Sequence, residues 1–180
     1  MKENKSMMKP FGFLKKKVEK DPMTPKYIKP DGTKVIEQES PLGTTVYEIC
    51  PDGAVIAMTY DKSDKLILDW IRRTNLEIGR TYDEYGNIIA EFNSLYDKGN
   101  VLAKTIQKEY EYYDNGVKSK EISVELPGEI KTETLFDEQG VQTQKIEYRG
   151  SVKTYFDKDN KPFKREIDRG SGGIITENIE

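Results

Sequence analysis

One short bend recurs along the chain and constrains its fold more than any other feature. The stretches KPDG (29–32), CPDG (50–53), DKSD (61–64), DEYG (83–86), DKGN (97–100), DNGV (114–117), DEQG (137–140) and DKDN (157–160) share it. Each follows an aromatic residue or an isoleucine: Ile28, Ile49, Tyr60, Tyr82, Tyr96, Tyr113, Phe136 and Phe156. An Asp in first place can accept a hydrogen bond from a backbone N–H further on, and a Pro in second place presets φ. Gly, Asn or Asp in fourth place tolerates the left-handed conformation that follows a type I turn in many hairpins. Gly32, Gly53, Gly86, Gly140 and Asn160 fit that place, while Asp64 and Asn100 fit it less well and Gly99 precedes it. In DNGV the glycine, Gly116, falls one place early, which predicts a tighter Asn-Gly turn.

Further turn signals lie between these, in SPLG (40–43), NLEIG (75–79), LPGE (126–129) and YRGS (148–151). Together the turns recur about every 8–17 residues, close to the spacing of short antiparallel strands. The intervening segments alternate as half-buried strands do. Leu66, Leu68 and Trp70 share a face, as do Ile88, Ala90 and Phe92, and Ile122, Val124 and Leu126, while Ile106 lies in register with Tyr110 and Tyr112. Lys, Glu, Gln and Thr occupy the opposite positions. These patterns predict an all-β fold: an antiparallel meander of about a dozen short strands, built from degenerate hairpin repeats and forming a long twisted or curled sheet. The repeat domain is expected over residues 25–168. A basic tail or short helix is expected over 1–24, and a Gly-rich flexible tail over 169–180, its IITENIE hanging free or adding to a partner's sheet edge.

The stretches TYDKSDKLILDW, TYDEYGNIIAEF, LYDKGNVLAK, YYDNGVKSKE and LFDEQGVQTQK resemble the YD repeat of RHS-type proteins, Tyr-Asp-x-x-Gly followed by a small apolar strand. They also look like the MORN-variant hairpins of proteins labelled as antitoxin components. The resemblance covers about residues 26–166 and implies stacked antiparallel hairpins in a long twisted sheet. In RHS proteins very many such repeats enclose a toxin; about eight signature turns are too few to close a shell.

Composition narrows the chemistry. Hydrophobic residues make up 35% of the 180 and charged residues 34%, so the core is expected to be thin or the sheet a single layer. Eleven tyrosines can bury their rings and keep their hydroxyls wet. A formal charge of −3 gives no global attraction to nucleic acid, and none is expected as a partner. The chain has no histidine, which removes the usual general base, His-based zinc sites and Ser-His or Cys-His pairs. Cys50, the one cysteine, cannot form an internal disulfide and reads as a small packed residue beside a turn.

Paired carboxylates occur at Asp61 and Asp64, Asp83 and Glu84, Asp137 and Glu138, and Asp157 and Asp159. Acid–base work on a glycosidic bond needs two such groups facing each other in a cleft, whereas here each pair sits in a turn that already employs its Asp. DKDNK (157–161) offers oxygen ligands to calcium but lacks the rest of an EF-hand loop. No phosphate-binding loop appears, and no cofactor or metal is expected.

Two stretches carry binding-type residues. DWIRRTNLEIGR (69–80) combines Trp70 with Arg72, Arg73 and Arg80, types enriched at interface hot spots. The N-terminal FGFLKKKVEK (11–20) joins Phe11, Phe13 and Leu14 to four lysines, a pattern suited to a groove or to weak contact with a membrane or acidic surface. No segment has the roughly 20 apolar residues of a membrane span, and no secretory signal pattern is present. A cytoplasmic protein, or one exported by a non-classical route, is expected. The leading functional expectation is a non-catalytic protein-binding or structural assembly module that holds another protein or copies of itself. An antitoxin or immunity-type protein that binds a toxin is the first alternative; a carbohydrate-active enzyme using paired carboxylates is the second.

Overall fold

The structure, a computed structural model, describes residues 24–99 and 101–179. Its strands are β1 (Tyr27–Ile28), β2 (Lys34–Ser40), β3 (Gly43–Ile49), β4 (Val55–Tyr60), β5 (Leu66–Arg72), β6 (Leu76–Tyr82) and β7 (Ile88–Tyr96). They continue with β8 (Leu102–Tyr112), β9 (Lys118–Leu126), β10 (Ile130–Phe136), β11 (Gln142–Arg149), β12 (Val152–Phe156), β13 (Pro162–Asp168) and β14 (Ile174–Asn178). All fourteen form one antiparallel meander in sequence order, and the first and last strands do not meet, so the sheet is open. The all-β meander expected from the sequence is therefore the fold. No described helix is long and apolar enough to cross a membrane.

The recurring bend has one construction. In the Asp83 turn the Asp83 N–H donates to the Asn87 carbonyl (3.0 Å), and the Gly86 N–H donates to Asp83 (3.1 Å). Asp83 Oδ1 accepts the N–H groups of Tyr85 and Asn87. Asp61, Asp137 and Asp157 repeat this double acceptance. The fourth place has positive φ in Gly86 (87°), Gly140 (80°), Asp64 (60°) and Asn160 (60°), as a left-handed bulge residue must. Gly32 and Gly53 follow suit in the turns opened by Lys29 and Cys50. Gly99 instead takes positive φ in third place; Asn100 lies outside the described residues.

The DNGV stretch does not form a tighter turn. Its first residue is Tyr113: the Tyr113 N–H donates to Val117 and the Gly116 N–H to Tyr113, the same construction shifted by one residue. Asn115 Oδ1, accepting from the Val117 N–H, partly replaces the missing Asp. NLEIG is not a turn either. The chain reverses just before Leu76, and Gly79 sits inside β6. The tail expected to be flexible is also ordered: Gly170–Gly172 form a 3-10 turn, and Ile174–Asn178 pair with β13 of the same chain. Arg169 N–H to Gly173 carbonyl closes this hairpin.

Five of the bends, after Tyr60, Tyr82, Tyr112, Phe136 and Phe156, close alternate hairpins and therefore line one end of the sheet. At each of these aromatics the strand register slips, the mark of a β-bulge. A bulge increases local twist and re-aims side chains.

Over its middle the sheet is a single layer. Every residue of β9 and of β10 is half-buried, so neither face is covered there. Among the described residues the buried apolar side chains are Val35, Ile36, Ala54, Ala57 and Ile146. Val35 and Ile36 point to opposite faces, yet each is only 1% exposed, which places the deepest burial at the β2 end.

Candidate functional site

Register decides which residues of 69–80 can act together. Trp70 lies opposite Gly79, and Gly79 opposite Phe92, so these three share a face with Arg72. Leu68, Thr81 and Ala90 form the adjacent row on the same face. Arg80 lies opposite Asp69 and thus points to the other face, away from Trp70. Arg73 is in the β5–β6 turn, where its N–H donates to the Leu76 carbonyl. The expected Trp-Arg constellation is split between two faces. Phe11, Phe13 and Leu14 lie outside the described residues.

The Trp70 face carries a shallow depression of about 250 Å³ bordered by Leu68, Trp70, Gly79, Thr81, Ala90 and Phe92. Its floor exists because β6 has no side chain at Gly79. A Cβ there would lie 2.3 Å from Phe92 Cε1, so the ring rests directly on the strand backbone. Trp70 is held from its edge: Nε1 donates to Glu77 Oε1 (2.7 Å), while the Tyr96 hydroxyl donates to Glu77 Oε2. The Trp70 ring thus stands beside the Phe92 ring that covers the Gly79 backbone; Leu68, 39% exposed, extends the apolar surface, and Gln107 and Glu109 close the rim on the β8 side.

On the opposite face charges alternate from strand to strand. Asp69, Arg80, Glu91 and Lys108 are successive cross-strand partners. Arg80 approaches Asp69 at 3.3 Å, and Lys108 reaches Glu91 and Glu121. Burial by itself raises the Glu121 pKa, but the ammonium groups of Lys118 and Lys108 more than offset it and leave that carboxyl below its ordinary range. Burial, then the bond its hydroxyl donates to Glu91, pushes the Tyr110 hydroxyl well above its usual pKa. These acids are engaged as acceptors for tyrosine and partners for lysine.

The same holds for the pairs considered for acid–base chemistry. The first carboxylate of each turn is occupied by two backbone N–H groups; Asp83 additionally accepts from the Asn87 amide, which holds its pKa below the ordinary value. Among the described residues no group of three or more acidic or cysteine side chains is placed to hold a metal ion. Cys50 is a free, half-buried thiol. The depression was invisible to sequence reasoning because it joins β5, β6 and β7 through their register. One signal existed: a glycine within a strand marks close approach of another group. No family model matches the chain, and no curated protein matches it.

Proposed function

We propose that the chain is a non-catalytic protein-binding module whose apolar depression accepts a hydrophobic side chain of a partner protein. The observation that carries this reading is the Trp70 ring, held at its edge by Glu77, beside the Phe92 ring that lies on the buried Gly79 backbone. An apolar hollow beside an aromatic already held in place loses little entropy on binding and gains contact area, which is how interface anchor pockets work. The surrounding face is polar, as an interface rim is.

The test compares the wild-type chain with Leu68→Glu and Ala90→Glu as baits in cells that express the protein naturally, with cross-linking and mass measurement of the complex. A stoichiometric partner, or a multimer of the chain, that is retained by wild type and reduced at least about tenfold by either variant supports the reading. Unchanged melting of both variants separates this from misfolding. Equal retention by the variants, or a lone monomer in every sample, refutes it.

A further inference from the structure

We infer that the notch between the β6–β7 and β8–β9 turns binds a cationic side chain, a lysine or arginine presented by a basic segment of a partner. The notch, about 860 Å³, is open to solvent and lies at the end of the sheet that carries the repeated bends. It is distinct from the apolar depression and does not depend on it. Tyr85, Tyr112, Tyr113, Asp83, Glu111 and Asp114 border it, the Asp83 carboxylate being occupied by its own turn, and among the described residues no lysine or arginine lines it.

The Tyr112 and Tyr113 rings, both half-buried, are positioned by their hydroxyls. The Tyr112 hydroxyl donates to the Ile88 carbonyl and the Tyr113 hydroxyl to Phe136, each at 2.7 Å. Tyr85, at the apex of its turn, is 81% exposed, and among the described residues its hydroxyl has no partner. The Asp114 carboxylate likewise has no hydrogen bond or ion pair among the described residues, whereas Glu111 already meets Lys120 at 3.4 Å.

Elsewhere the sheet completes such a set with a lysine. Lys118 lies 4.3 Å from the Tyr110 ring centre and 2.8 Å from Glu121. Lys164 lies 4.7 Å from the Tyr155 ring and 2.6 Å from Glu166. Lys153 sits over both Tyr148 and Tyr155. Tyr110 also borders the notch, but Lys118 already covers its ring. Around Tyr85 and Asp114 the aromatic and the acid are present, and among the described residues no ammonium lies over the Tyr85 ring or pairs with Asp114; Lys65 comes near but spends its ammonium on the Glu84 carbonyl (3.1 Å). Because Tyr85 and Asp114 border the same notch, an ammonium or guanidinium entering it is offered a ring face and a carboxylate, the two contacts a bound cation favours.

The experiment uses the isotope-labelled full chain and three probes: acetyl-Gly-Lys-Gly-amide, the same peptide acetylated on Nε, and maltotriose. The expected result is saturable shifts of the Tyr85, Gly86, Asn115 and Gly116 amides with the charged peptide alone. Affinity should fall about fivefold or more in Tyr85→Ala and in Asp114→Asn, with melting unchanged. Asn is itself a turn residue, so the second variant remains informative if the first disturbs the loop. The inference is overturned by any of four outcomes: no saturable shift, equal shifts at the 61–64 and 137–140 turns, unchanged affinity in both variants, or saturation by maltotriose instead of the peptide.

Discussion

Replacing Gly79 by alanine sets two opposed effects against each other, and the structure says which wins. Alanine in a strand interior is favoured over glycine by about 0.5–1 kcal/mol, because glycine loses more backbone freedom on folding. Taken alone, that effect makes Gly79→Ala stabilising. The new Cβ, however, would sit 2.3, 2.8 and 3.0 Å from three atoms of the Phe92 ring. Carbon atoms pack optimally at about 3.5–4.0 Å, so the ring must move by about an ångström or more. Overpacking of this kind costs about 1–3 kcal/mol. The net expectation is a loss of up to about 2.5 kcal/mol, centred near ~1 kcal/mol, or a fall of a few degrees in Tm for a chain of this size.

The sole tryptophan, Trp70, is the cross-strand partner of Gly79, so its fluorescence during urea unfolding reports this part of the sheet directly. The same substitution in a Phe92→Ala background removes the obstacle. There Gly79→Ala should become stabilising by about 0.5–1 kcal/mol, and the double-mutant cycle isolates the clash. If Gly79→Ala stabilises the otherwise wild-type chain, the ring does not rest on the β6 backbone and the account of the depression fails.

Two further outcomes are expected. Gly86, at φ 87°, should tolerate Asn far better than Val, because Asn160 already occupies the equivalent place at φ 60°; Gly86→Val should cost about 1–2 kcal/mol in a thermal melt, and equal costs refute the shared turn construction. The Asn87 amide and then the backbone N–H groups lower the Asp83 pKa, so the stability it contributes is present above the unfolded carboxyl value and is lost as pH falls through the folded one. Melting temperature should therefore drop between about pH 5 and pH 2, less steeply in Asp83→Asn, and an unchanged slope in that variant refutes the linkage.

The turns were legible because their chemistry is local: an Asp that accepts two N–H groups and a residue that tolerates positive φ are both visible within five positions. Tyr113 shows the limit. Its turn lacks the leading Asp, and the search for Asp placed the bend one residue late. The C-terminal strand was missed for a similar reason, since Gly170, Gly172 and Gly173 read as a linker although they close a hairpin onto β13. The split of Trp70 from Arg80 was beyond reach for another reason. Within a strand parity fixes the face, so Trp70 and Arg72 could be placed together. Across the β5–β6 turn the face depends on register, and a shift of one residue moves every side chain to the other side. The depression and the notch both join residues through register or neighbouring turns, which no single segment encodes.

A sheet with so few buried side chains must be held by what lies on its surfaces, and Tyr155 shows which surface term dominates. Its ring is flanked by Lys153 and Lys164, each 4.7 Å from the centre, and its hydroxyl donates to Glu166 at 2.8 Å. The half-buried ring contributes at about 25 cal/mol for each Å² it removes from water. The accompanying exposed ion pair adds little, because water screens the charges and two long side chains lose freedom in making it. The aliphatic stems of the lysines raise the first effect by covering the ring. Rings supply most of the cohesion, and charges fix register and keep the surface soluble. A single layer can then carry charged residues at 34% of the sequence without a hydrophobic interior, provided that tyrosine is as plentiful as it is here. The same economy explains why Tyr85 stands out. It lies at a turn apex, is 81% exposed, and among the described residues no lysine ammonium lies over its ring, so burial within the sheet gives little reason for an aromatic there.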